Sequence, residues 1–548
     1  MHTIKIYFLI MRYLHIAARS IILCTLLLGV SFTDYTSFCA QTPVSIANPQ
    51  TWANTDLRQY VGQTIRFTTP FYVTNNYNSG SLTISPRRTY SPTNQAIPLS
   101  AEYNDILSAN RMGEITLTGV SGYHRMGERL VDLVVYVSST GSVQWKSCTW
   151  VGNTRADLEQ GYDKDAVNMR GQHTLLVCAM NCEYYLTQAY GSGSSTMGPG
   201  NNAEHQKQRA KISAALSKIN ADIYGLVEVQ QGSEAMNEIA ADLSRLTGRT
   251  FRAIDDGTSV NGTYTKSGYV YCTQTVTPYG ALRSTDSYLP TRKKAQVFTE
   301  NATGERFIFS INHFKSKSGA YNATGDDRDQ GDGQGAYNAK RVQEAKAVLA
   351  SYDRDRLSVH DDDILIMGDL NAYAKEDPIT ALRDGGMIDL HRAFHADSSY
   401  SYTFRGQAGY LDHALCNSTL YPQITGMVAY HINSDEHDRY TYDSSDDLSM
   451  FRCSDHDPIL VGLRLDSSTS TRRTEPSFNN YEVFYEGATP CIRNAEGGYY
   501  IVYRIDGQIV TQSKITSVEQ NIDGLSQGIY ILNIYGQGTC LSTKLIVR

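Results

Sequence analysis

Between residues 170 and 466 the sequence alternates between short apolar runs and amphipathic stretches, and this alternation restricts the region to a layered α/β fold. The run that begins at Leu175 has the composition of a buried strand, and Ile212, Leu216 and Ile219 follow at helical spacing. A second buried-type strand begins at Ile223. Because such a sheet must be covered by helices, we predict a two-layer or four-layer α/β body of roughly 300 residues.

The segments on either side of this body have a different pattern. Residues 41–150 contain short strand-like runs between Gly, Pro and Asn turns, which predicts a small β-barrel or β-sandwich; an OB-like (oligonucleotide-binding) barrel is one option. Residues 467–480 are polar and are interpreted as a linker. Residues 481–548 contain further strand-like runs and predict a C-terminal β-sandwich. A chain of 548 residues is too long for one core, so a division into several domains is expected.

The first 40 residues have the features of an export signal. Lys5, Arg12 and Arg19 precede an apolar stretch from Ile21 to Val30, and small residues follow it. An N-terminal membrane anchor is the alternative interpretation, but the stretch is short for a membrane span. We therefore interpret residues 1–40 as a signal peptide and predict a secreted or cell-surface protein with no stable membrane span after processing.

The net charge of −7 bears on the partners of the chain. It argues against a stoichiometric DNA-binding protein, which needs a basic surface. It argues less against an enzyme, because bound metal ions can supply the positive charge that meets a phosphate.

Four polar clusters lie at the ends of predicted core strands in the α/β body. Strand ends are where α/β sheets gather side chains around one crevice, and carboxylate and amide oxygens are the ligands that Mg²⁺, Mn²⁺ and Ca²⁺ require. A single Gly-Asp-x-Asn is more often a turn than a site, whereas four such clusters in one domain indicate a metal site. The clusters are Asn181 with Glu183, Glu228, Asp369 with Asn371, and Asp455 with His456.

The position of Glu228 strengthens its cluster, and two further residues, His313 and Asp412, suit phosphate chemistry. Glu228 lies among apolar strand residues, where an acid is costly unless it is paired or metal-bound. His313 follows a predicted strand and is available as a general acid or phosphate-binding group, although a structural histidine is the alternative. Asp412 could orient a histidine such as His456, as a carboxylate fixes the tautomer of an imidazole.

Taken in order, these motifs resemble the endonuclease/exonuclease/phosphatase superfamily, whose members include deoxyribonuclease I and exonuclease III-type repair enzymes. The resemblance covers roughly residues 170–466 and implies a four-layer αββα sandwich. The matching motifs are Met180-Asn181-Cys182-Glu183, Gly225-Leu226-Val227-Glu228-Val229, Asn312-His313-Phe314-Lys315-Ser316-Lys317, Gly368-Asp369-Leu370-Asn371-Ala372, Leu411-Asp412-His413 and Ser454-Asp455-His456-Asp457-Pro458.

The resemblance implies a metal centre. Glu228 is its implied principal ligand, with Asn181, Glu183 and Asp455 near the same ion. Mg²⁺ or Mn²⁺ is the expected cofactor, and Ca²⁺ is a further candidate. Whether one or two ions act is left open.

The resemblance also implies catalytic roles. Asp369 should orient or deprotonate the attacking water, and Asn371 should hold the phosphate or a second metal. His456, paired with Asp412, should contact the scissile phosphate, and His313 should stabilise or protonate the leaving group. The residues expected to bind substrate are Asn312, Lys315 and Asn371.

A narrower resemblance concerns the substrate. The Asp-rich stretch at residues 326–338 is similar to an insertion of large bacterial extracellular nucleases, which often carry a Cys on each side; this chain has no Cys between residues 272 and 416. We predict a secreted nuclease that cleaves DNA, with RNA as a further substrate. A phosphatase or lipid phosphodiesterase, acting on inositol phosphates or sphingomyelin-like lipids, is the alternative. Without the resemblance, residues 326–338 would be a solvated loop or a weak Ca²⁺ site.

The C-terminal residues carry one more resemblance. The stretches Tyr503–Gln508 and Gly528–Ile531, followed by the end of the chain at Lys544–Arg548, look like a type IX secretion sorting domain. This resemblance implies an interaction with the type IX secretion machinery and export beyond the periplasm. An ordinary terminal β-module is the alternative.

Overall fold

The computed structural model describes most of the chain outside its first 42 residues. The predicted signal peptide, residues 1–40, and the predicted linker, residues 467–480, lie outside the described residues. The described ranges are 43–46, 56–78, 80–159, 173–188, 198–254, 264–359, 361–395, 398–465, 482–486, 489–495, 498–504, 508–536 and 539–547.

Two six-stranded sheets form the central α/β body. The order of the first sheet is β10-β11-β9-β8-β21-β20, and the order of the second is β12-β13-β14-β15-β19-β16. The strands of the first are β8 (Leu175–Tyr185), β9 (Ile223–Gln230), β10 (Phe251–Ala253), β11 (Thr265–Cys272), β20 (Ile424–Ala429) and β21 (Ile459–Leu463). Those of the second are β12 (Val276–Ser284), β13 (Lys293–Glu300), β14 (Arg306–Asn312), β15 (Ile364–Asp369), β16 (Ile388–Asp389) and β19 (Asp412–Cys416).

The two sheets pack face to face, and helices cover their outer faces. Successive residues of a strand point to opposite faces, so in β8 Val177 enters the core between the sheets while Cys178 packs under the helices. In β15 Met367 enters the same central core and Ile366 packs outward. Each such buried large side chain stabilises the fold by about 1.5–3 kcal/mol. The outer helices are Asn202–Ile219 and Glu234–Thr247 on the first sheet and Asn338–Val359 and Asp377–Asp384 on the second.

This arrangement confirms the predicted mixed α/β fold and has the four layers of an αββα sandwich. Two smaller elements complete the body. A short helix, Leu390–His395, follows β16, and the hairpin of β17 (Tyr402–Phe404) and β18 (Gln407–Gly409) precedes β19. Short 3-10 helices lie at Ala320–Asn322, Gly325–Asp327, Tyr421–Gln423 and Asp438–Tyr440.

The strands before the α/β body close into a barrel. β6 pairs with both β3 and β7, and β7 pairs with β5, so the ring β3-β4-β5-β7-β6 has no free edge. Its apolar interior is a separate core. Its strands are β1 (Val44–Ile46), β2 (Thr64–Phe67), β3 (Phe71–Asn78), β4 (Ser81–Ser85), β5 (Ile115–Thr118), β6 (Arg129–Val137) and β7 (Val143–Val151), and its helices are Asp56–Tyr60, Pro92–Gln95 and Ala101–Arg111.

The residues after the α/β body form two small sheets around a core of their own. Their orders are β22-β23-β26 and β25-β24-β27-β28. The strands are β22 (Glu482–Glu486), β23 (Thr489–Arg493), β24 (Tyr499–Arg504), β25 (Ile509–Lys514), β26 (Glu519–Asn521), β27 (Gly528–Gly536) and β28 (Thr539–Val547). Among the described residues, no helix combines the length and the apolar character needed to cross a membrane.

Candidate active site

Most of the predicted site residues meet at one end of the sandwich, where strands of both sheets terminate. In the second sheet, β15 runs antiparallel to β19, and their register sets Asp369 opposite Asp412. Asn181 of the first sheet reaches Asp369 by a hydrogen bond from its Nδ2 to Oδ2 at 3.2 Å. The loop before β21 is tied to the same point, because Ser454 Oγ donates to the carbonyl oxygen of Asn181 at 2.7 Å. The two sheets thus share one polar centre.

Irregularities in the backbone of the first sheet turn its acidic side chains towards this centre. The pairing of β8 with β9 shifts register between Asn181 and Tyr185, and Glu183 within the shift has φ 47°. The pairing of β9 with β11 shifts opposite Glu228, which has φ 58°. A β-bulge redirects a side chain that a regular strand would turn to the other face. A left-handed backbone at a non-glycine residue costs roughly 1–3 kcal/mol and is concentrated at functional sites.

Asp369 makes polar contacts with several other residues of the centre. Besides the amide of Asn181, it accepts a hydrogen bond at Oδ1 from the backbone N–H of Asn371 at 2.9 Å. His313 Nε2 lies 3.7 Å from its Oδ2, and His456 Nε2 lies 4.0 Å from the same atom. Burial raises the pKa of Asp369 to about 7; the charge of Asp412 adds to this rise, while His456 opposes it. A carboxyl group that titrates near neutrality can accept a proton from water.

A second group of acids lies beside Asp369. Burial and the nearby charge of Asp455 raise the pKa of Glu183 to about 8 and that of Glu228 to about 7. The charge of Arg452 opposes the rise in the pKa of Glu183 but does not cancel it. Glu228 Oε2 accepts a hydrogen bond from the N–H of Tyr184 at 3.2 Å. Carboxylates that repel one another in a buried site fit a divalent cation, which would remove this repulsion. Glu183, Glu228 and Asp455 therefore have the chemistry to hold such an ion.

Asp412 and His456 form a hydrogen-bonded pair next to this group. His456 Nδ1 is 2.7 Å from Asp412 Oδ2, and Ser401 Oγ donates to the same oxygen at 2.7 Å. Tyr402 stacks on the imidazole with ring centroids 4.6 Å apart. Burial lowers the pKa of His456, but Asp412, Asp455 and Asp369 outweigh it and raise the pKa well above its usual value. His456 is therefore an imidazolium held with Nε2 towards Asp369.

Asp369, Asp412 and His456 also offer ligand atoms that all lie within 4.8 Å of one another. Coordination through His456 Nδ1 would displace the proton of the 2.7 Å Asp412–His456 contact, whereas coordination through Nε2, 4.0 Å from Asp369 Oδ2, would not. The cation beside Glu228 that the family resemblance implies stays a prediction, and we interpret Asp412–His456 as an ion pair.

His313 is buried and faces two acids. Its Nε2 lies 3.6 Å from Glu228 Oε1 and 3.7 Å from Asp369 Oδ2. Burial, with the charges of Arg292 and His456, lowers the pKa of His313 well below its usual value. The imidazole is therefore neutral and can donate one hydrogen bond to a substrate oxygen.

Two predicted substrate-binding residues are not brought to the centre. Asn312 has no exposed surface, and its side chain bonds Ser310 and Thr285, so its substrate role stays a prediction. Successive residues alternate in direction, and the next residue, His313, faces Glu228 and Asp369 instead. Lys315 Nζ donates to the carbonyl oxygens of its own loop and lies 4.0 Å from the ring centroid of Tyr337. Its substrate role stays a prediction.

Other polar residues of the centre are absent from the sequence-based set. Ser401 and Tyr402 hold the Asp412–His456 pair, Arg452 lies beside Glu183, and Arg292 lies near His313. The basic run from Arg292 to Lys294 at the start of a strand could have indicated an anion-facing residue. Nothing in the local sequence marks Ser401, because its role depends on a contact with Asp412, eleven residues away across the β17–β18 hairpin.

Two face-to-face sheets with carboxylates and histidines at their common end define a hydrolase of the layered α/β class. Residues 168–456 match the model of the Endonuclease/Exonuclease/phosphatase family. The match spans more than half of the chain, and the chain therefore belongs to this family, which hydrolyses phosphoester bonds.

Several solved structures are similar to about half of the chain. A Bacteroides vulgatus endonuclease/exonuclease/phosphatase shares 14% identity over 53% of this chain and 99% of its own, with a TM-score of 0.36. A Bacteroides thetaiotaomicron mannosyl-6-phosphatase shares 16% over 53% and 100%, with a TM-score of 0.37. TDP2 of D. rerio, complexed with single-strand DNA product, shares 14% over 53% and 99%, with a TM-score of 0.35. No curated protein matches the chain. Identities this low do not identify a substrate.

Proposed function

We propose that this chain is a secreted, divalent-metal-dependent nuclease that hydrolyses phosphodiester bonds of extracellular DNA. The observation that carries the proposal is the meeting of Glu183, Glu228 and Asp369, all with raised pKa values, beside the Asp412–His456 pair at one end of the two sheets. Such a set combines groups that bind a cation with groups that accept and stabilise charge during attack by water.

The cation, Mg²⁺ or Mn²⁺ with Ca²⁺ as a further candidate, would be held by Glu183, Glu228 and Asp455, with Asn181 beside them. When bound, it neutralises the phosphoryl oxygens and lowers the charge barrier to an incoming nucleophile. Burial raises the pKa of Asp369, which favours it over an exposed carboxylate as the group that takes up the proton of the attacking water.

The protein's own side chains would stabilise the remaining charge and take up or donate the protons. Asp369 orients the attacking water and accepts its proton. His456 is held as an imidazolium by Asp412 and contacts a phosphoryl oxygen. His313 is neutral and donates a hydrogen bond to the leaving oxygen. Asn371 lies beside Asp369 with φ 51° and is placed to hold the phosphate or a second ion.

Exposed aromatic residues near the centre support an extended substrate. The β17–β18 hairpin carries Tyr402 against His456 at its base and Phe404, 53% exposed, at its tip, with the Arg405 guanidinium over the Phe404 ring. Exposed rings and cations beside a phosphate site provide stacking platforms for the bases of a nucleic acid. These rings favour a nucleic acid over a small phosphomonoester.

A substrate panel tests the proposal. The purified protein is incubated with plasmid, single-stranded DNA, RNA, inositol phosphates and sphingomyelin, with Mg²⁺, Mn²⁺, Ca²⁺ or EDTA. We expect cleavage of plasmid with Mg²⁺ or Mn²⁺ and none in EDTA. Equal turnover in excess EDTA would contradict the metal dependence. Faster turnover of inositol phosphates or sphingomyelin than of DNA would favour the alternative phosphatase or lipid phosphodiesterase, with which the net charge of −7 agrees.

The proposal that the protein is exported rests on the features of the two ends of the sequence. Residues 1–40 would act as a signal peptide, and residues 481–548 would be sorted by the type IX secretion machinery, which gives a secreted or cell-surface protein. Fractionation of cells that express the full chain, or a chain truncated after residue 466, tests this route. We expect the full chain in the medium or at the surface and the truncated chain in the periplasm.

A further inference from the structure

A short segment of the N-terminal barrel, residues 88–94, contacts three loops that carry active-site residues. Asn94 Oδ1 accepts from the N–H of Tyr410, two residues before Asp412. Thr93 donates its hydroxyl to Glu376 at 2.9 Å and its carbonyl oxygen accepts from Lys375, in the loop after Asn371. Arg88 forms an ion pair with Asp435, in the loop that packs on His456.

We propose that Arg88 is a positioning residue for His456, and that the barrel is an integral part of the active site. The proposal rests on the proposed hydrolase function and on a continuous series of contacts from the Arg88 guanidinium to the imidazole of His456.

The first contacts hold the Asp435 carboxylate, which has no exposed surface. Arg88 Nη2 pairs with Oδ1, and the side-chain amide of Asn153 donates to Oδ2 at 2.9 Å. Tyr400 OH donates to the same Oδ2 at 2.8 Å, and the Arg88 guanidinium lies 4.1 Å from the Tyr400 ring centroid. Burial would raise the pKa of Asp435, but Arg88 outweighs it, and the pKa is about 2. Asp435 is therefore a buried charge that depends on Arg88.

The next contacts join this loop to the catalytic histidine. Asn433 Nδ2 donates to the backbone carbonyl of His456 at 2.6 Å. The backbone N–H groups of Asn433 and Ser434 both donate to Asp457 Oδ1, at 2.8 and 2.9 Å. His431 Nδ1 lies 2.9 Å from Asp457 Oδ2. Residues 431–434 therefore fix the backbone on which the His456 imidazole is mounted.

A parallel route reaches the same imidazole through its partner acid. Tyr400 stacks on His431 with ring centroids 3.7 Å apart and an interplanar angle of 1°. The adjacent residue, Ser401, accepts the N–H of Asp457 at its carbonyl and donates its hydroxyl to Asp412. Loss of Arg88 would leave Asp435 charged and unpaired, and the loop would have to open to hydrate it. Opening would remove donors from Asp457 and from the His456 carbonyl together.

The test is a double-mutant cycle in the full-length protein, with a phosphodiester that the wild type hydrolyses. The variants are Arg88→Met, His456→Ala and the double variant. Arg209→Met is the matched control: Arg209 pairs with the buried Asp242 on the outer helical layer, away from the active site. If Arg88 acts through His456, we expect Arg88→Met to lower kcat about 10-fold with KM changed less than about 2-fold, and to have almost no effect on kcat when His456 is already Ala. Arg209→Met should leave kcat within about 2-fold of the wild type.

An equal loss of kcat from Arg88→Met in both backgrounds would overturn the proposal, as would an equal loss from Arg209→Met. If Arg88→Met does not fold, Tyr400→Phe, which removes only the hydroxyl bonded to Asp435, takes its place in the same cycle. Amide hydrogen exchange gives a readout that needs no activity: residues 431–437 and 454–457 should lose protection in the Arg88 variant and keep it in the Arg209 variant. If the wild type hydrolyses no phosphoester, the proposed function fails while hydrogen exchange still decides the coupling.

Discussion

Asp369 makes polar contacts with Asn181, Asn371 and both histidines of the active centre. Removing its charge is therefore the most direct test of the proposed mechanism at a single residue. Asp369→Asn keeps the shape of the side chain but cannot accept a proton. We expect kcat to fall by roughly 10³-fold, because both water orientation and proton uptake are lost. Asp363→Asn is the matched control, since Asp363 precedes the opposite end of β15 and its carboxylate accepts from Gln423. Near-normal kcat in Asp369→Asn, measured on plasmid, would show that its role is misassigned.

The acids also make the stability of the protein depend on pH and on metal. The pKa values of Glu228 and Asp369 are about 7 and that of Glu183 is about 8, above their ordinary values of 4.5 and 3.8. Between these limits the folded state binds more protons than the unfolded state, so these groups reduce the free energy of unfolding as pH rises from about 4 to about 8. A cation that binds the ionised acids offsets this loss.

We therefore expect Mg²⁺ to raise Tm by several degrees more at about pH 8 than at about pH 5, because the acids are ionised only at the higher pH. Thermal unfolding with Mg²⁺ or EDTA at both pH values measures this difference. In Glu228→Gln the difference should shrink. A Tm gain that is the same at both pH values would argue against a metal at these carboxylates.

At the scale of single elements, the end of β15 depends on a glycine. Gly368 has φ 120°, and a Cβ atom there would overlap the carbonyl oxygen of Asn312 on the neighbouring strand. We expect Gly368→Ala to lower the free energy of unfolding by about 3 kcal/mol, through strain and overlap together. Gly386→Ala, at φ 91° with open space around its Cβ, should cost only about 1 kcal/mol. Chemical denaturation compares the two, and equal losses would show that close strand packing is not the cause.

The elements also show how far the sequence specified the site. The buried strands that begin at Leu175, Ile223 and Ile364 follow from local apolar runs, and the acids and amides that the sequence singled out lie at or near the end of each strand. The bulge that turns Glu228 inwards does not follow, because its left-handed backbone is imposed by pairing with β11. The burial of Asn312 does not follow either, since the face on which a strand's last residue lies depends on register across the sheet.

At the scale of the whole molecule, the two flanking parts differ in how they are attached. Asp435 and Glu436 have side chains that are 0% and 1% exposed, and their cationic partners Arg88, Arg125 and Arg155 all precede the α/β body. No sequence pattern predicts the Arg88–Asp435 pair, because its members lie 347 positions apart. The C-terminal part instead packs the apolar Tyr499 and Ile501 on the core of the body, and Tyr499 OH donates to the Ser418 carbonyl at 3.0 Å.

Deletion variants should reflect this difference. Removal of residues 43–155 leaves two buried carboxylates unpaired, at a cost of about 3–5 kcal/mol each, and we expect an insoluble product. Removal of residues 482–548 should give a soluble protein with kcat within about 2-fold of the full chain. Soluble yield and hydrolysis of plasmid are the measurements. A soluble, fully active protein without the barrel would contradict the role given to Arg88.

The active centre cannot form until β21 has been synthesised, because β21 lies near the end of the catalytic region. β21 is added between β8 and β20, and its pairing of Ile459 with Ala179 is what fixes the preceding Asp455 and His456 against Asn181. Every shorter nascent chain on the ribosome lacks this strand, and pairing across such a sequence separation is slow. Translation of the catalytic region is therefore complete before the active centre of any molecule can form.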